Sequence, residues 1–217
     1  MTVNFDNAAT TFPKPKQVIE TVSKAVTEYG GNAGRGGHSL SSKTSEAVFT
    51  ARRITAEFFG AKTENTIFTS SCTHSLNMAI LGILKKGDHA VISSMEHNSV
   101  TRPITALTEK GIITCNVAKV EKSDEKTIEN FKSAIKNNTK AVIMSAASNV
   151  TGQILPFKEV AEFCQKKSIC FILDAAQAAG LIPLDFQKLG ILKKEGGSYC
   201  VTDIQRLIDM TEETIEF

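Results

Sequence analysis

A single carboxylate, Asp174, follows the apolar run 169–173 and precedes a loop of small residues. Gln177 lies three positions further along the chain. The apolar run predicts a buried strand. An acid at the end of a buried strand is costly to ionise unless it meets a cation or several hydrogen-bond donors. Asp174 is therefore predicted to face a ligand that carries positive charge, with the Gln177 amide beside it.

Polar residues also follow three earlier predicted strands. Hydroxyls and backbone N–H groups that open a helix suit a phosphate. An imidazole at a strand end can stack on a flat ring or move a proton. An amide can donate to a ligand oxygen. These residues are Cys72 and Thr73 after the predicted strand 65–69, His97 after 89–93, and Asn149 after 140–144.

Each of these clusters taken singly has a purely structural explanation. The three explanations are a helix N-cap, a surface histidine near a helix start, and an Asx-turn before Gly152. Together with Asp174, however, the clusters supply phosphate donors, a stacking ring, an amide and a counter-charge. Pyridoxal 5'-phosphate (PLP) is one ligand that requires all four. The convergence therefore predicts a PLP site.

The elements that must position these residues alternate along the chain. Helical periodicity over 15–29 and 44–59 flanks a glycine-rich loop, and short apolar strands then alternate with amphipathic helices. Such alternation predicts an α/β fold: a mostly parallel sheet with helices on both faces and a ligand crevice at the carboxyl ends of the strands. The predicted strands are 65–69, 89–93, 112–118, 140–144 and 169–173, and the predicted helices between them are 72–85, 100–110, 124–136 and 157–167.

Composition excludes several classes of protein. The chain has 217 residues, a net charge of +2 and 41% hydrophobic residues, which is typical of a globular protein. Scattered lysines, two tyrosines and no tryptophan argue against nucleic-acid binding. No signal peptide or membrane-spanning run is apparent. Five cysteines without a CxxC pair predict free thiols and a cytoplasmic location, with no metal site.

The ordered motifs resemble those of the cysteine desulfurase and selenocysteine lyase family, within the class-V aminotransferases of PLP fold type I. The resemblance covers residues 3 to about 190. It predicts residues 1–190 as a truncated large domain, which leaves 191–217 as a divergent tail. In that tail a capping box at Thr202–Gln205 and an apolar stripe after it predict a terminal amphipathic helix over 203–215. The matching segments are Asn4-Phe-Asp-Asn-Ala-Ala-Thr-Thr11, the glycine-rich loop through Arg35 and His38, Ser71-Cys-Thr73, Glu96-His-Asn98, Ser148-Asn-Val-Thr-Gly152 and Asp174-Ala-Ala-Gln177.

The resemblance implies a role for each candidate residue. Asp174 would hold the ring nitrogen protonated, and Gln177 would bond the ring hydroxyl oxygen. His97 would stack on the ring and assist proton transfer. The other roles are phosphate binding by Cys72 (through its backbone) and Thr73, and contact of Asn149 with the cofactor or the substrate carboxylate. The implied reaction removes sulfur from a cysteine-like amino acid, leaving alanine and an enzyme persulfide, in a dimer whose partner chain lies near Arg35 and His38.

The chain departs from the family pattern after Asp174. Family members carry a Ser/Thr-x-His-Lys motif whose lysine holds the cofactor, but no histidine follows His97 here. The later lysines are Lys188, Lys193 and Lys194, and none has that context. Family chains are also much longer, and the persulfide cysteine loop and substrate-binding arginine have no counterpart. Cys72 stands where the family usually has alanine or glycine. Cys200, in a Gly-Ser-Tyr loop, has no base partner in sequence and is not expected to be a nucleophile.

These departures predict a cysteine desulfurase-like protein that binds PLP weakly and is inactive as this chain. Three alternatives stay open. The chain could be a working enzyme with a relocated lysine, Lys193 or Lys194. It could be a non-catalytic partner or regulator of a full-length relative, formed through the family's dimer surface. It could also be a truncated gene product without function.

Overall fold

The computed structural model describes residues 7–186 and the backbone of a strand at Tyr199–Val201. The described chain forms two compact units, residues 7–68 and residues from Thr69 onward. The predicted domain boundary at 190, the predicted helix over 203–215 and Lys188, Lys193 and Lys194 lie outside the described residues. No helix within the described part is both long and apolar enough to cross a bilayer.

The first unit contains two helices joined by the predicted glycine-rich loop. Helix α1 spans Lys16–Glu28 and α2 spans Ser39–Phe58, followed by a 3-10 turn at Thr63–Asn65. His38 caps α2, since its side chain accepts from the Ser41 N–H. Gly31 is required because a Cβ there would lie 2.4 Å from the Ser41 nitrogen. The loop is therefore fixed by a close backbone approach.

The second unit is a parallel α/β sheet, as predicted. Five parallel strands stand in the order β2-β1-β3-β4-β5. Serine side chains at Ser71 and Ser123 cap two of the helices. In chain order the elements are α3 (Cys72–Ile83), β1 (His89–Ser93), α4 (Asn98–Glu109), β2 (Thr114–Ala118), α5 (Asp124–Ala134), β3 (Thr139–Ser145), α6 (Phe157–Lys166), β4 (Cys170–Asp174) and β5 (Tyr199–Val201).

Successive side chains of the central strands point to opposite faces of the sheet and are buried on both. One face packs on α3 and α4, and its core includes Leu76, Ile80, Ile104, Ile92 and Ile143. On the other side, α5 contacts β1 and β2, and α6 contacts β3 and β4. Helices thus cover both faces, as the alternation predicts. The strands are thereby held with their carboxyl ends at one edge of the sheet.

Two predictions about strands are wrong. The predicted strand 65–69 does not form: Asn65 ends a 3-10 turn, residues 66–69 have no regular structure, and Ile67 is 68% exposed. The β-branched residues there favour an extended chain, but a strand also needs a partner, and the described sheet provides none for this segment. Conversely, Tyr199 and Cys200, which were predicted to lie in a loop, form a short strand with Val201 that pairs in parallel with β4. The glycines at 196 and 197 suggested a loop, whereas the open edge of β4 provides pairing for the β-prone residues after them.

Candidate cofactor site

Asp174 ends β4 and is buried, with 6% of its surface exposed. Its backbone is in register with Ser145, and its carbonyl accepts from the Ala146 N–H at 2.8 Å. Its carboxylate Oδ1 accepts from the Ala176 N–H at 3.0 Å and from the Cys72 thiol at 3.6 Å. Burial raises the pKa of Asp174, while these two donors and the charge of His97 oppose the rise. The predicted buried acid at a strand end is therefore present.

The start of α3 lies beside the Asp174 carboxylate, because Cys72 is its first residue and contacts that carboxylate. Ser71 is the N-cap, and its hydroxyl accepts from the His74 N–H at 3.1 Å. Ser70 adds a hydrogen bond between its hydroxyl and the Nδ1 of His74 at 3.0 Å. Cys72 and Thr73 are the first two residues of the helix. Backbone N–H groups at this position have no acceptor within the helix backbone. The arrangement is suited to an anion, as the helix dipole favours negative charge there.

His97 caps α4 and carries an exposed imidazole. Its Nδ1 accepts from the Ser99 N–H at 3.1 Å and lies 2.8 Å from the Ser99 hydroxyl. Because Nδ1 is an acceptor, the neutral ring carries its proton on Nε2. The ring is thus both a helix cap and a possible proton donor. The structural explanation and the functional one are compatible at this residue.

Glu96 is a further residue near the site, and it was not among the predicted site residues. It follows β1 and is half-buried. Its Oε1 accepts from the Ser93 hydroxyl and from the Ser145 N–H, the latter at 2.8 Å, and its Oε2 accepts from the Ser145 hydroxyl at 3.1 Å. Burial raises the pKa of Glu96 to about 7, and the charge of Asp174 contributes to that rise. An acid directly before His97 and after a buried strand was the available sequence signal.

Asn149 lies in the loop between β3 and α6 and is exposed. The predicted Asx-turn is not what shapes this loop. The Ser148 hydroxyl accepts from the N–H groups of Val150 and Thr151 at 3.3 and 3.2 Å. Gly152, with φ +71°, closes the turn through a bond from its N–H to the Ser148 carbonyl at 3.0 Å. Because Ser148 forms the turn, the Asn149 amide is not needed for it.

Gln177 lies in a tight turn after Asp174 and is half-buried. The N–H groups of Ala178 and Ala179 donate to the Ala175 carbonyl at 2.9 and 2.8 Å. The structure thus links Asp174, Cys72 and His97 by contact or charge. It places Gln177 and Asn149 in the loops after β4 and β3. Their proposed contacts with a cofactor stay predictions.

Chemically, the site combines two carboxylates of raised pKa, an imidazole and a helix N-terminus. Comparison with known protein families identifies the family of the chain: the model described as aminotransferase class-V matches residues 3–193. This chain belongs to the class-V aminotransferase family.

Several of the proteins similar to this chain are named as cysteine desulfurases. Cysteine desulfurase IscS of Clostridium botulinum (strain Hall) is 33% identical over 193 residues, which are 87% of this chain and 48% of that protein. The apo cysteine desulfurase of Thermococcus onnurineus NA1 superposes with a TM-score of 0.76 at 33% identity, over 85% of this chain and 46% of that one. SspA in complex with cysteine gives 0.77 at 26% identity, over 87% and 55%. The chain spans about half the length of the curated relatives it matches.

Membership of the class-V aminotransferases implies PLP, and the residues present fit this group. The two hydrogen bonds described for the Asp174 side chain both reach Oδ1, and both come from uncharged donors. A buried carboxylate of raised pKa is stabilised in its ionised form by a nearby cation. The protonated ring nitrogen of PLP is such a cation, and the start of α3 offers N–H groups to a phosphate.

Proposed function

We propose that this chain is a cysteine desulfurase-like PLP-binding protein that retains a cofactor cradle but does not desulfurate cysteine by itself. The observation that carries the proposal is the buried Asp174 carboxylate at the end of β4, beside the first residue of α3. The similarity to cysteine desulfurases supports a cysteine-like amino acid as the ligand class. No histidine stands between His97 and Phe217, so this stretch holds no Ser/Thr-x-His-Lys motif of the kind that the resemblance would supply for a covalent lysine.

The role proposed for each residue follows from the chemistry of its side chain or backbone. Asp174 would hold the ring-nitrogen proton, and Gln177 would bond the ring hydroxyl. Cys72 and Thr73 would bind the phosphate at the helix start. His97 would exchange a proton through Nε2, and Asn149 would contact the cofactor or the substrate carboxylate. When bound, PLP supplies an electron sink for bonds at the amino-acid α-carbon.

The proposal is tested by titrating the purified chain with PLP and recording the visible absorption spectrum. We expect weak, saturable binding that Asp174→Ala weakens about 10- to 100-fold, since charge-assisted hydrogen bonds contribute roughly 1.5–3 kcal/mol. Glu109→Ala, which changes an exposed acid at the end of α4, is the matched control. Equal binding by the wild type and Asp174→Ala would contradict the cofactor assignment.

Activity and covalent attachment are measured on the same samples. We expect negligible sulfide and alanine from cysteine, and no PLP-modified peptide after borohydride reduction. Sulfide release that Asp174→Ala abolishes would contradict the proposed inactivity. A modified Lys193 or Lys194 would instead establish the relocated-lysine alternative.

A second candidate function is that of a non-catalytic partner for a longer relative. The observation that favours it is an exposed apolar stripe on α1, where Ile19, Val22 and Val26 are 59%, 56% and 80% exposed. Exposed apolar patches often mark protein–protein contacts. We expect the tagged chain to co-purify with a co-expressed full-length cysteine desulfurase, and Val22→Glu with Val26→Glu to abolish this. A monodisperse monomer that captures none of that enzyme would exclude the partner function, and Lys24→Glu is the control for added charge.

A further inference from the structure

The Glu96 carboxylate joins the ends of two neighbouring strands. It lies in the turn between β1 and α4, and the Ser93 hydroxyl at the end of β1 donates to it. Ser145, the last residue of β3, donates both its N–H, at 2.8 Å, and its hydroxyl, at 3.1 Å. The turn that carries His97 is therefore bonded through Glu96 to the carboxyl end of β3.

Ser145, the partner of Glu96, is in turn connected to Asp174 through the backbone of the sheet. Ser145 and Asp174 are register partners in the β3–β4 ladder, and the Ala146 N–H donates to the Asp174 carbonyl at 2.8 Å. On the other side, Glu96 precedes His97, whose ring is fixed on α4 by Ser99. Glu96 thus connects His97 with Asp174, the two residues that would contact the PLP ring. A shift of its side chain would change the distance between them.

We propose that Glu96 is a positioning residue of the PLP site, whose carboxylate holds the His97 turn against the end of β3 beside Asp174. This inference rests on the proposed PLP-binding function. It assigns Glu96 no contact with the cofactor. Its role is to fix the relative position of an imidazole and a carboxylate that come from different loops.

The surrounding groups are consistent with this role. The donors from β1 and β3 are neutral, and Asp174 on β4 is the acid whose charge acts on Glu96. His97 acts in turn on Asp174, which also accepts from the Cys72 thiol of α3. All three hydrogen bonds can persist when Glu96 is replaced by glutamine: the amide oxygen accepts from Ser93 and the Ser145 N–H, and the amide nitrogen donates to the Ser145 hydroxyl. Alanine removes all three.

The variants Glu96→Gln and Glu96→Ala therefore separate geometry from charge. We expect Glu96→Ala to weaken PLP binding about tenfold, which corresponds to about 1.4 kcal/mol, and Glu96→Gln to stay within about threefold of the wild type at pH 6. Glu109→Gln, an exposed acid at the other end of α4, is the matched control and should bind as the wild type does. Wild-type affinity in Glu96→Ala would overturn the inference.

A second readout needs no PLP. The chain has four histidines, so the ring C–H signals in a proton–carbon NMR spectrum are few, and His97→Gln identifies the signal of His97. We expect Glu96→Ala to move the His97 signal, Glu96→Gln to restore its position, and the His38 signal to stay unchanged in both. An unmoved His97 signal in a folded Glu96→Ala variant would overturn the inference.

The two readouts distinguish the possible failures. If the wild type does not bind PLP, the proposed function is wrong, whereas the NMR comparison still decides whether Glu96 positions His97. If PLP binds and both readouts of Glu96→Ala equal those of the wild type, only the positioning role is wrong. If Glu96→Ala does not fold, Ser145→Ala, which removes one of the three hydrogen bonds, should shift the His97 signal, and its failure to do so would refute the role.

Discussion

At the scale of single residues, the distinctive feature of the site is a thiol beside the buried acid. The Sγ of Cys72 lies 3.6 Å from the Asp174 Oδ1. A thiol is a weak donor, so it supplements the Ala176 N–H and does not replace a cation. Together the two donors counter only part of the effect of burial on the Asp174 pKa. The carboxylate is therefore poised to gain from a positively charged ligand.

Residue types at strand ends were predictable from the sequence, but their partners were not. Asp174, Cys72 and His97 stand at the predicted strand and helix ends because local periodicity reveals where elements stop. Glu96 was missed as a site residue because its main partner, Ser145, lies 49 positions away. Only the pairing order of the sheet brings those two residues together. Similarly, the turn before Gly152 is made by Ser148, and the sequence alone favoured the neighbouring asparagine.

At the scale of elements, both ends of β1 lie where they were predicted. The ends of β2 to β4 and of α3 to α6 lie within a few residues of the predicted ones. The two errors, at 66–69 and 199–201, both concern whether a short β-prone segment finds a neighbour. Pairing of this kind depends on sequence far away, so propensity cannot decide it. Helix bounds were more predictable, since caps such as Ser71 and Ser123 are local.

The loop that carries Asn149 depends on the left-handed backbone of Gly152. We expect Gly152→Ala to lower the free energy of unfolding by about 1–2 kcal/mol, because φ is +71° and a Cβ disfavours that region. Gly82→Ala in α3 is the matched control: its Cβ would meet nothing within 4 Å, and helix propensity should raise stability by up to about 1 kcal/mol. Urea denaturation followed by circular dichroism measures both. Equal effects of the two variants would contradict the backbone argument.

At the scale of the whole molecule, the sheet has chemically opposite ends. Two acids of raised pKa, Glu96 and Asp174, lie at the carboxyl ends of the strands. At the start of β1, the fully buried His89 has its Nδ1 2.8 Å from the Thr139 hydroxyl. Burial, with the positive charge of Lys136, lowers the pKa of His89. Stability should therefore respond to pH in opposite directions from the two ends.

The sign of each contribution follows from proton linkage. Glu96 has a pKa of about 7 when folded and an ordinary value of 4.5, so its contribution to stability is full below pH 4.5 and is lost as pH rises through 7. For His89, whose pKa is lowered from 6.5, the contribution is present above pH 6.5 and is lost as pH falls through the folded pKa. Glu96→Gln should thus gain stability relative to wild type as pH rises from about 5 to 8, by on the order of 2–3 kcal/mol.

His89→Asn should show the reverse, gaining relative to wild type as pH falls, because asparagine has no proton to take up. Chemical unfolding of wild type, Glu96→Gln and His89→Asn at half-unit pH steps gives each difference directly. The control Glu109→Gln should run parallel to wild type throughout, since that exposed acid ends α4. Parallel curves for Glu96→Gln and wild type would show that Glu96 ionises in the folded protein as it does in the unfolded chain. Burial of Glu96 would then add no electrostatic strain to the carboxyl end of the sheet.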